Sequence, residues 1–295
     1  FIQKRASGSN VRGGDCLSSA LIVTAKLSKT FHSKKTPVQA LRDISITVNT
    51  NEIACLMGPS GCGKSTLLKI IAGIETATEG QLLLFGQNCT ASVPQKLKRR
   101  IGFIYQDSNL LPWRSVERNL RFPLEIFGIQ KEKEYEDRIH EALEIVGLTK
   151  YRDALPQELS GGMMQRVGIA RSLVYNPDLL LMDQPFGALD AITRKKLRFD
   201  FLKIFQHARK TIVIATNSVD EALLFATRIY VIRMAPGTVE EVVEVGIPFE
   251  ERKEGIEDNE TFIGLRRQMI EIVKRQYALD ARAAHFSVSE APCND

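Results

Sequence analysis

Short apolar runs, many rich in β-branched residues, punctuate the chain at 21–26, 44–48, 53–57, 81–85, 101–105, 179–183, 211–216 and 228–233. Runs of this length, bounded by polar and glycine-containing stretches, predict strands. The first few follow one another with too little chain between them for crossovers and read as an antiparallel sheet. The later ones are separated by helical patterns and read as a parallel sheet. Between about 107 and 175 the pattern is almost wholly helical: Tyr135, Ile139, Leu143 and Val146 recur at steps of four, four and three, one face of an amphipathic helix. A last helix is predicted over 258–279, with Leu265, Met269, Ile272 and Val273 along it, followed by a polar tail to Asp295. The expected fold is therefore α/β, a parallel-sheet core with an antiparallel β subdomain and a helical insertion. The expected organisation is a main domain over 20–250, its helical subdomain at about 107–175, and an appended helix and tail over 251–295. Residues 1–19, rich in Gly, Ser and Arg without periodicity, read as a disordered tail that lacks the apolar core of a secretory signal.

Composition narrows this picture only a little. With 295 residues, 44% of them hydrophobic and 25% charged, the chain can bury a sizeable core. Its net charge of +5 is a mild excess spread along the chain, which argues against nucleic acid as a partner. No apolar run approaches the roughly 18 residues that a spanning helix needs, so any service to a membrane is performed from outside the lipid. The five cysteines (Cys16, Cys55, Cys62, Cys89, Cys293) form no C-x-x-C pair, and the four histidines stand at no ligand spacing from them. Reduced thiols of a cytosolic protein fit this better than disulfides or zinc.

The chemistry begins at Gly58-Pro59-Ser60-Gly61-Cys62-Gly63-Lys64-Ser65-Thr66, which fits G-x-x-x-x-G-K-[ST] with a predicted strand before it and a helix pattern after it. Glycines let such a loop fold into a nest of backbone N–H groups, and the helix N-terminus adds partial positive charge. In that arrangement Lys64 neutralises nucleotide phosphates and the Ser65 hydroxyl ligates Mg²⁺. The core is thus expected to be a P-loop NTPase. A second anion-facing surface is predicted at Leu159-Ser160-Gly161-Gly162-Met163-Met164-Gln165-Arg166, where Ser160 is a natural N-cap and two glycines leave the first turn's N–H groups uncovered.

With both motifs in place, the chain resembles the ATP-binding subunits of ABC transporters over about 20–250. The resemblance implies that two such subunits pair head to tail, as a homodimer or heterodimer, with each ATP between one subunit's phosphate loop and its partner's Ser160, Gly161, Gly162 and Gln165. It implies that Phe31 stacks on adenine, that Gln106 touches Mg²⁺ and the attacking water, and that Asp183, ending an apolar strand, holds Mg²⁺ with Ser65. Gly187-Ala188-Leu189-Asp190 matches the loop that contacts the opposing subunit. Where the family usually has glycine ahead of the phosphate-loop strand this chain has Asn51, which tolerates left-handed backbone better than other residues.

Two positions depart from the family at the chemical step. The residue after Asp183 is Gln184 instead of the glutamate that polarises water, and the residue after the 211–216 strand is Asn217 instead of the histidine that contacts the γ-phosphate. Glutamine orients a water but takes no proton, and the asparagine amide is shorter and does not ionise. Binding of ATP and Mg²⁺ is expected to persist while hydrolysis at this chain's own site is impaired. Three explanations stand open: substitutions introduced to trap the ATP state, a naturally degenerate half of a heterodimer, and slow hydrolysis using Gln106 and Gln184. Leu110-Leu111-Pro112-Trp113, the 182–190 run and Ala235-Pro236-Gly237 resemble importers of nitrate, sulfonates, taurine and related small anions, a group that includes bicarbonate systems. The implied partners are transmembrane permease subunits and, through them, a solute-binding protein, with this chain at the cytoplasmic face of the membrane. The rival reading is a nucleotide-gated structural subunit that does not turn over ATP.

Overall fold

The computed structural model describes residues 20–32, 36–128, 132–187, 191–208, 210–234 and 236–289. The 1–19 segment therefore lies outside the described residues, as do Ala188, Leu189, Asp190 and Ala235. The strands Ala20–Phe31 (β1), Val38–Ile44 (β2) and Thr47–Asn49 (β3) come first, and Ile53–Met57 (β4) leads into the helix Lys64–Ile71 (α1). Glu79–Leu84 (β5) and Gln87–Asn88 (β6) precede the short helix Gln95–Lys98 (α2) and Ile101–Ile104 (β7). Three helices follow: Val116–Phe127 (α3), Glu132–Val146 (α4) and Gly161–Leu173 (α5). Then come Leu179–Asp183 (β8), Ala191–Ala208 (α6), Thr211–Thr216 (β9), Val219–Phe225 (α7), Arg228–Arg233 (β10), Thr238–Glu244 (β11) and Glu260–Ser289 (α8).

Two sheets result, as the pattern predicts, with three additions. One is antiparallel, in the order β2-β1-β5-β6 with β3 also on β1. The other runs β11-β10-β4-β9-β8-β7, parallel from β10 to β7 and closed by the antiparallel edge strand β11. The expected strand at 44–48 is two elements, because the chain turns after Ile44. There Thr24 fills the gap, its hydroxyl donating to Ile44 O and accepting from Ile46 N–H, both at 3.0 Å. β2, β6 and β11 escape the apolar pattern. Arg42 and Asp43 interrupt β2, and three glutamates interrupt β11, which half faces solvent as an edge strand.

The parallel strands alternate between two cores with the period of two that a strand imposes. Ile53, Cys55 and Met57 of β4 face the helical side with Leu180 and Met182 of β8 and Ile212 and Ile214 of β9. Ala54, Leu56, Leu179, Leu181, Val213 and Ala215 face the opposite side, against Leu67, Leu68 and Ile71 of α1 and the antiparallel sheet. Burial on both faces is why these strands read as unbroken apolar runs. Cys55, Cys62 and Cys89 are free thiols among the described residues. Burial pushes the Cys55 and Cys62 thiols up, opposed at Cys62 by the neighbouring Lys64 cation.

α8 continues to Ser289, beyond the predicted end at 279. The added stretch is rich in alanine and holds no glycine or proline, so nothing in it stops a helix. Phe262, Leu265, Met269 and Ile272 bury one face of α8 in the helical-side core, next to α7, and Arg266 pairs with Asp220 of α7 at 2.6 Å. The far end of α7 is held by Arg252, whose side chain is fully buried. Its guanidinium donates to Leu223 O (3.2 Å), Leu224 O (3.1 Å) and Ala226 O (2.8 Å), and to Ile247 O at 3.2 and 2.8 Å. The last carbonyls of a helix have no intrahelical partner, and a cation there also meets the negative end of the helix dipole. Burial pulls the Arg252 pKa down to about 10, so the group stays cationic at neutral pH. Replacing it with methionine strands these carbonyls at a cost of about 3 kcal/mol or more. We therefore expect Arg252→Met to lower the urea midpoint clearly, and an unchanged midpoint would contradict the capping role.

Candidate functional site

The residues singled out by motif converge on the C-terminal edge of the parallel sheet. β4 and β9 are in register through Met57 and Thr216, β9 and β8 through Ala215 and Asp183, and β8 and β7 through Met182 and Ile104. Gly58, Asn217, Gln184 and Gln106 therefore leave neighbouring strands on one side. Ligands of open α/β sheets bind at this edge, where strands end and loops diverge.

The loop from Gly58 to Gly63 has the backbone its glycines suggest, with φ of +85° at Gly61 and +96° at Gly63. Side chains at these angles are strained, so glycine is required there. Lys64 is buried and folded back along the loop, its Nζ donating to Gly58 O at 2.7 Å and Pro59 O at 2.8 Å. Ser65 Oγ donates to Asp183 Oδ1 at 2.8 Å, joining the first helical turn of α1 to the end of β8. A hydroxyl and a carboxylate held together beside a phosphate nest suit Mg²⁺, which prefers oxygen and takes few protein ligands when phosphates supply the rest. Among the described residues no cluster of three or more His, Cys, Asp or Glu side chains forms a metal cage.

Gln184 is half-buried with a left-handed φ of +46°. Its N–H donates to Ala215 O at 2.9 Å and its carbonyl accepts from Gly187 N–H at 3.0 Å. Behind it Phe186 is fully buried, stacked on Phe225 of α7 and edge-on to Phe201 of α6. The Gln106 side chain lies against the same turn, its Nε2 3.3 Å from where a Cβ on Gly187 would stand. Asn217 is exposed. The backbone on either side of it is held from below. Thr216 Oγ1 donates to the buried Glu221 carboxylate and accepts from Ser218 N–H at 3.1 Å, and Glu221 pairs with Arg198 of α6 at 3.2 Å. Motif reading missed Thr216, Glu221 and Arg198, because each resembles an ordinary strand or helix residue until the fold brings them together.

Ser160 caps α5, its Oγ accepting from Met163 N–H at 3.4 Å, and both Ser160 and Gly161 are exposed. Gln165 turns inward instead: it is buried and donates to Tyr105 O at 3.4 Å, tying this helix to the residue before Gln106. Phe31, at the end of β1, is paired in register with exposed Val38 and partly open to solvent, with Lys29 Nζ 4.8 Å from the ring centroid. The phosphate loop, Gln106, Asp183, Gln184 and Asn217 thus share one edge, whereas the exposed N-terminus of α5 stands on the helical layer.

The family described as ABC transporter matches residues 41–187. The chain is 41% identical to an ABC transporter ATP-binding protein of Methanocaldococcus jannaschii, over 84% of this chain and 89% of that one. It is 37% identical to the aliphatic sulfonates import ATP-binding protein SsuB of Bacillus cereus, over 84% and 94% of the two chains. It is 40% identical to the nitrate import ATP-binding protein NrtD of a Synechocystis strain, over 76% and 82%. The chain belongs to the ABC transporter ATP-binding proteins. A solved dimeric ATP-binding cassette in a post-hydrolysis state with ADP and Pi shares its P-loop NTPase fold, with a TM-score of 0.68 at 32% identity over 77% of this chain and 100% of that one.

In this ABC protein the helical layer also presents an exposed tryptophan. Asn119, fully buried in α3, accepts from Leu111 N–H at 2.8 Å and donates to Leu111 O, Arg114 O and Ser115 O at 2.9–3.2 Å. This pins the loop that carries Trp113, whose side chain is 72% exposed. Among the described residues no helix is long and apolar enough to cross a membrane. The support under Asn217 is directly testable. Thr216→Val removes a donor from buried Glu221 and an acceptor from Ser218 N–H, which costs about 1–3 kcal/mol. Chemical denaturation of this variant should show that loss, and an unchanged stability would mean that Glu221 finds equal satisfaction elsewhere.

Proposed function

We propose that this ABC protein binds Mg-ATP at residues 58–66 and pairs with a second ATP-binding subunit. Together they drive a membrane permease that imports a small anion such as nitrate, a sulfonate, taurine or bicarbonate. The observation that carries the ATP assignment is the Ser65–Asp183 hydrogen bond at the mouth of the glycine loop that contains Lys64. When bound, Mg²⁺ supplies charge neutralisation at the β- and γ-phosphates, and Ser65, Asp183 and Gln106 are the residues that would hold it. Lys64 moves from the Gly58 and Pro59 carbonyls to the phosphates, Phe31 offers its ring to adenine, and the nest N–H groups receive phosphate oxygens. Kinship to the sulfonate and nitrate import proteins supports the anion class. Exposed Trp113 supports contact with a permease at the cytoplasmic face, and the solute-binding protein acts through that permease.

Hydrolysis at this chain's own site is, on this reading, impaired. Gln184 and Asn217 leave adjacent strands at the site, yet neither accepts a proton at neutral pH, so a water placed by Gln184 and Gln106 meets no general base. A second reading is favoured by the exposed Ser160 and Gly161 at the start of α5. In that reading the chain holds ATP without turning it over, and Ser160, Gly161, Gly162 and Gln165 complete the active site of a partner subunit.

Steady-state phosphate release separates these outcomes. The isolated chain should bind MgATP yet release phosphate slowly, and Gln184→Glu with Asn217→His should raise the rate by roughly 10²–10⁴-fold. A rate for the unmodified chain equal to that of the double variant would remove the case for impairment. Lys64→Ala should abolish MgATP binding in a calorimetric titration, and retained affinity would sink the assignment of the loop itself. In the complete complex, Ser160→Arg should lower phosphate release while leaving this chain's own MgATP affinity unchanged, if the signature serves a partner.

A further inference from the structure

The turn at Pro236-Gly237, between β10 and β11, belongs to no nucleotide-binding pattern, yet it lies against the outer side of the phosphate loop. A Cβ built on Gly237 would stand 2.2 Å from Cys62 O, 3.0 Å from Ala40 O and 3.1 Å from Leu41 Cδ2. The φ of Gly237 lies outside the left-handed region, so space and not backbone strain demands glycine here. Hydrogen bonds fix the approach: Gly237 N–H donates to Ala40 O at 3.1 Å, and Arg42 N–H donates to Gly237 O at 2.9 Å. The same wall meets the loop twice more. A Cβ on Gly63 would stand 2.5 Å from Leu41 Cδ2, and one on Gly58 would stand 2.3 Å from Ile232 O at the end of β10. Backbone of β2 and of the β10–β11 hairpin thus forms the outer wall of the loop, with glycines at each close approach.

A peptide unit is planar and trans, so its C=O and N–H point in opposite directions. The Cys62 oxygen abuts Gly237, and the Gly63 N–H on the same plane therefore points away from the hairpin, toward the hollow side of the loop. Any group that pushes on the Cys62 oxygen rotates this plane and re-aims that donor. We propose that Gly237 is a positioning residue of the phosphate loop: its bare backbone sets the Cys62–Gly63 peptide plane and hence the aim of the Gly63 N–H at a phosphate oxygen. The proposal rests on the reading of residues 58–66 as the ATP site and gives the hairpin, which touches no nucleotide in that reading, a share in its affinity.

The test compares Gly237→Ala with Gly246→Ala in the full chain. The two carry the same added methyl, and at Gly246 nothing lies within 4 Å of it. Calorimetry should show MgATP affinity reduced at least about tenfold in Gly237→Ala, the scale of one misdirected hydrogen bond to a charged phosphate. Gly246→Ala should bind as the unaltered chain does. Thermal unfolding without nucleotide confirms that each variant is folded at the titration temperature. A folded Gly237→Ala with unaltered MgATP affinity overturns the proposal, whereas failure of the unaltered chain to bind MgATP overturns the ATP assignment instead. If Gly237→Ala does not fold, hydrogen exchange on the unaltered chain decides: MgATP should slow exchange at Gly237 and Arg42 as it does at Gly63. Protection confined to the loop overturns the proposal.

Discussion

The hydrogen bond from Ser65 to Asp183 depends on the register of three parallel strands, and most of the site depends on the same sheet. β4 and β8 are separated by β9, so the serine that follows one and the aspartate that ends the other meet only when all three strands finish level. A slip of one residue in β8 would turn Asp183 to the opposite face and bury Leu180 and Met182 on the wrong side. Two-sided burial makes such a slip costly, because every residue of β4, β8 and β9 is out of solvent. The hydrophobic pattern that builds the sheet therefore also sets the chemistry at its edge.

Around that edge the supports come from different layers. The antiparallel sheet and the β10–β11 hairpin back the phosphate loop, the stacked phenylalanines anchor the turn after Asp183, and Glu221 with Arg198 braces the backbone beneath Asn217. The buried Glu221 carboxylate meets both the Thr216 hydroxyl and the Arg198 guanidinium. The two residues that depart from the family, Gln184 and Asn217, are seated on these intact supports. On the proposed reading, what differs at these two positions is side-chain chemistry, with the strands that present them in place.

Much of this was legible in the residues alone, where pattern and chemistry were local. Continuous apolar runs marked the buried parallel strands, and the glycine loop and the Ser160 cap announced their own backbone. Asn51 has the left-handed φ, +61°, expected of a residue standing in for glycine. Edge strands were harder. β2 and β11 pair with the strands just before them, β1 and β10, but they carry charges on their open faces, so no apolar alternation stands out. The helpers of the site were hidden too. Thr216, Glu221 and Arg198 are unremarkable singly and acquire roles only through contacts between elements. Gln165 gained a contact that its motif does not announce, the hydrogen bond to Tyr105 O that ties α5 to the strand end before Gln106.

Arg252 lies just past the boundary at 250 expected for the main domain, yet its side chain fills the C-terminal end of α7. Seven residues of helix, beginning two positions after Asn217, end on a group delivered by a segment some 26 residues further along the chain. The smallest piece of this protein that retains its architecture therefore reaches beyond 252. During synthesis, too, the helix that follows Asn217 waits uncapped until that arginine has left the ribosome.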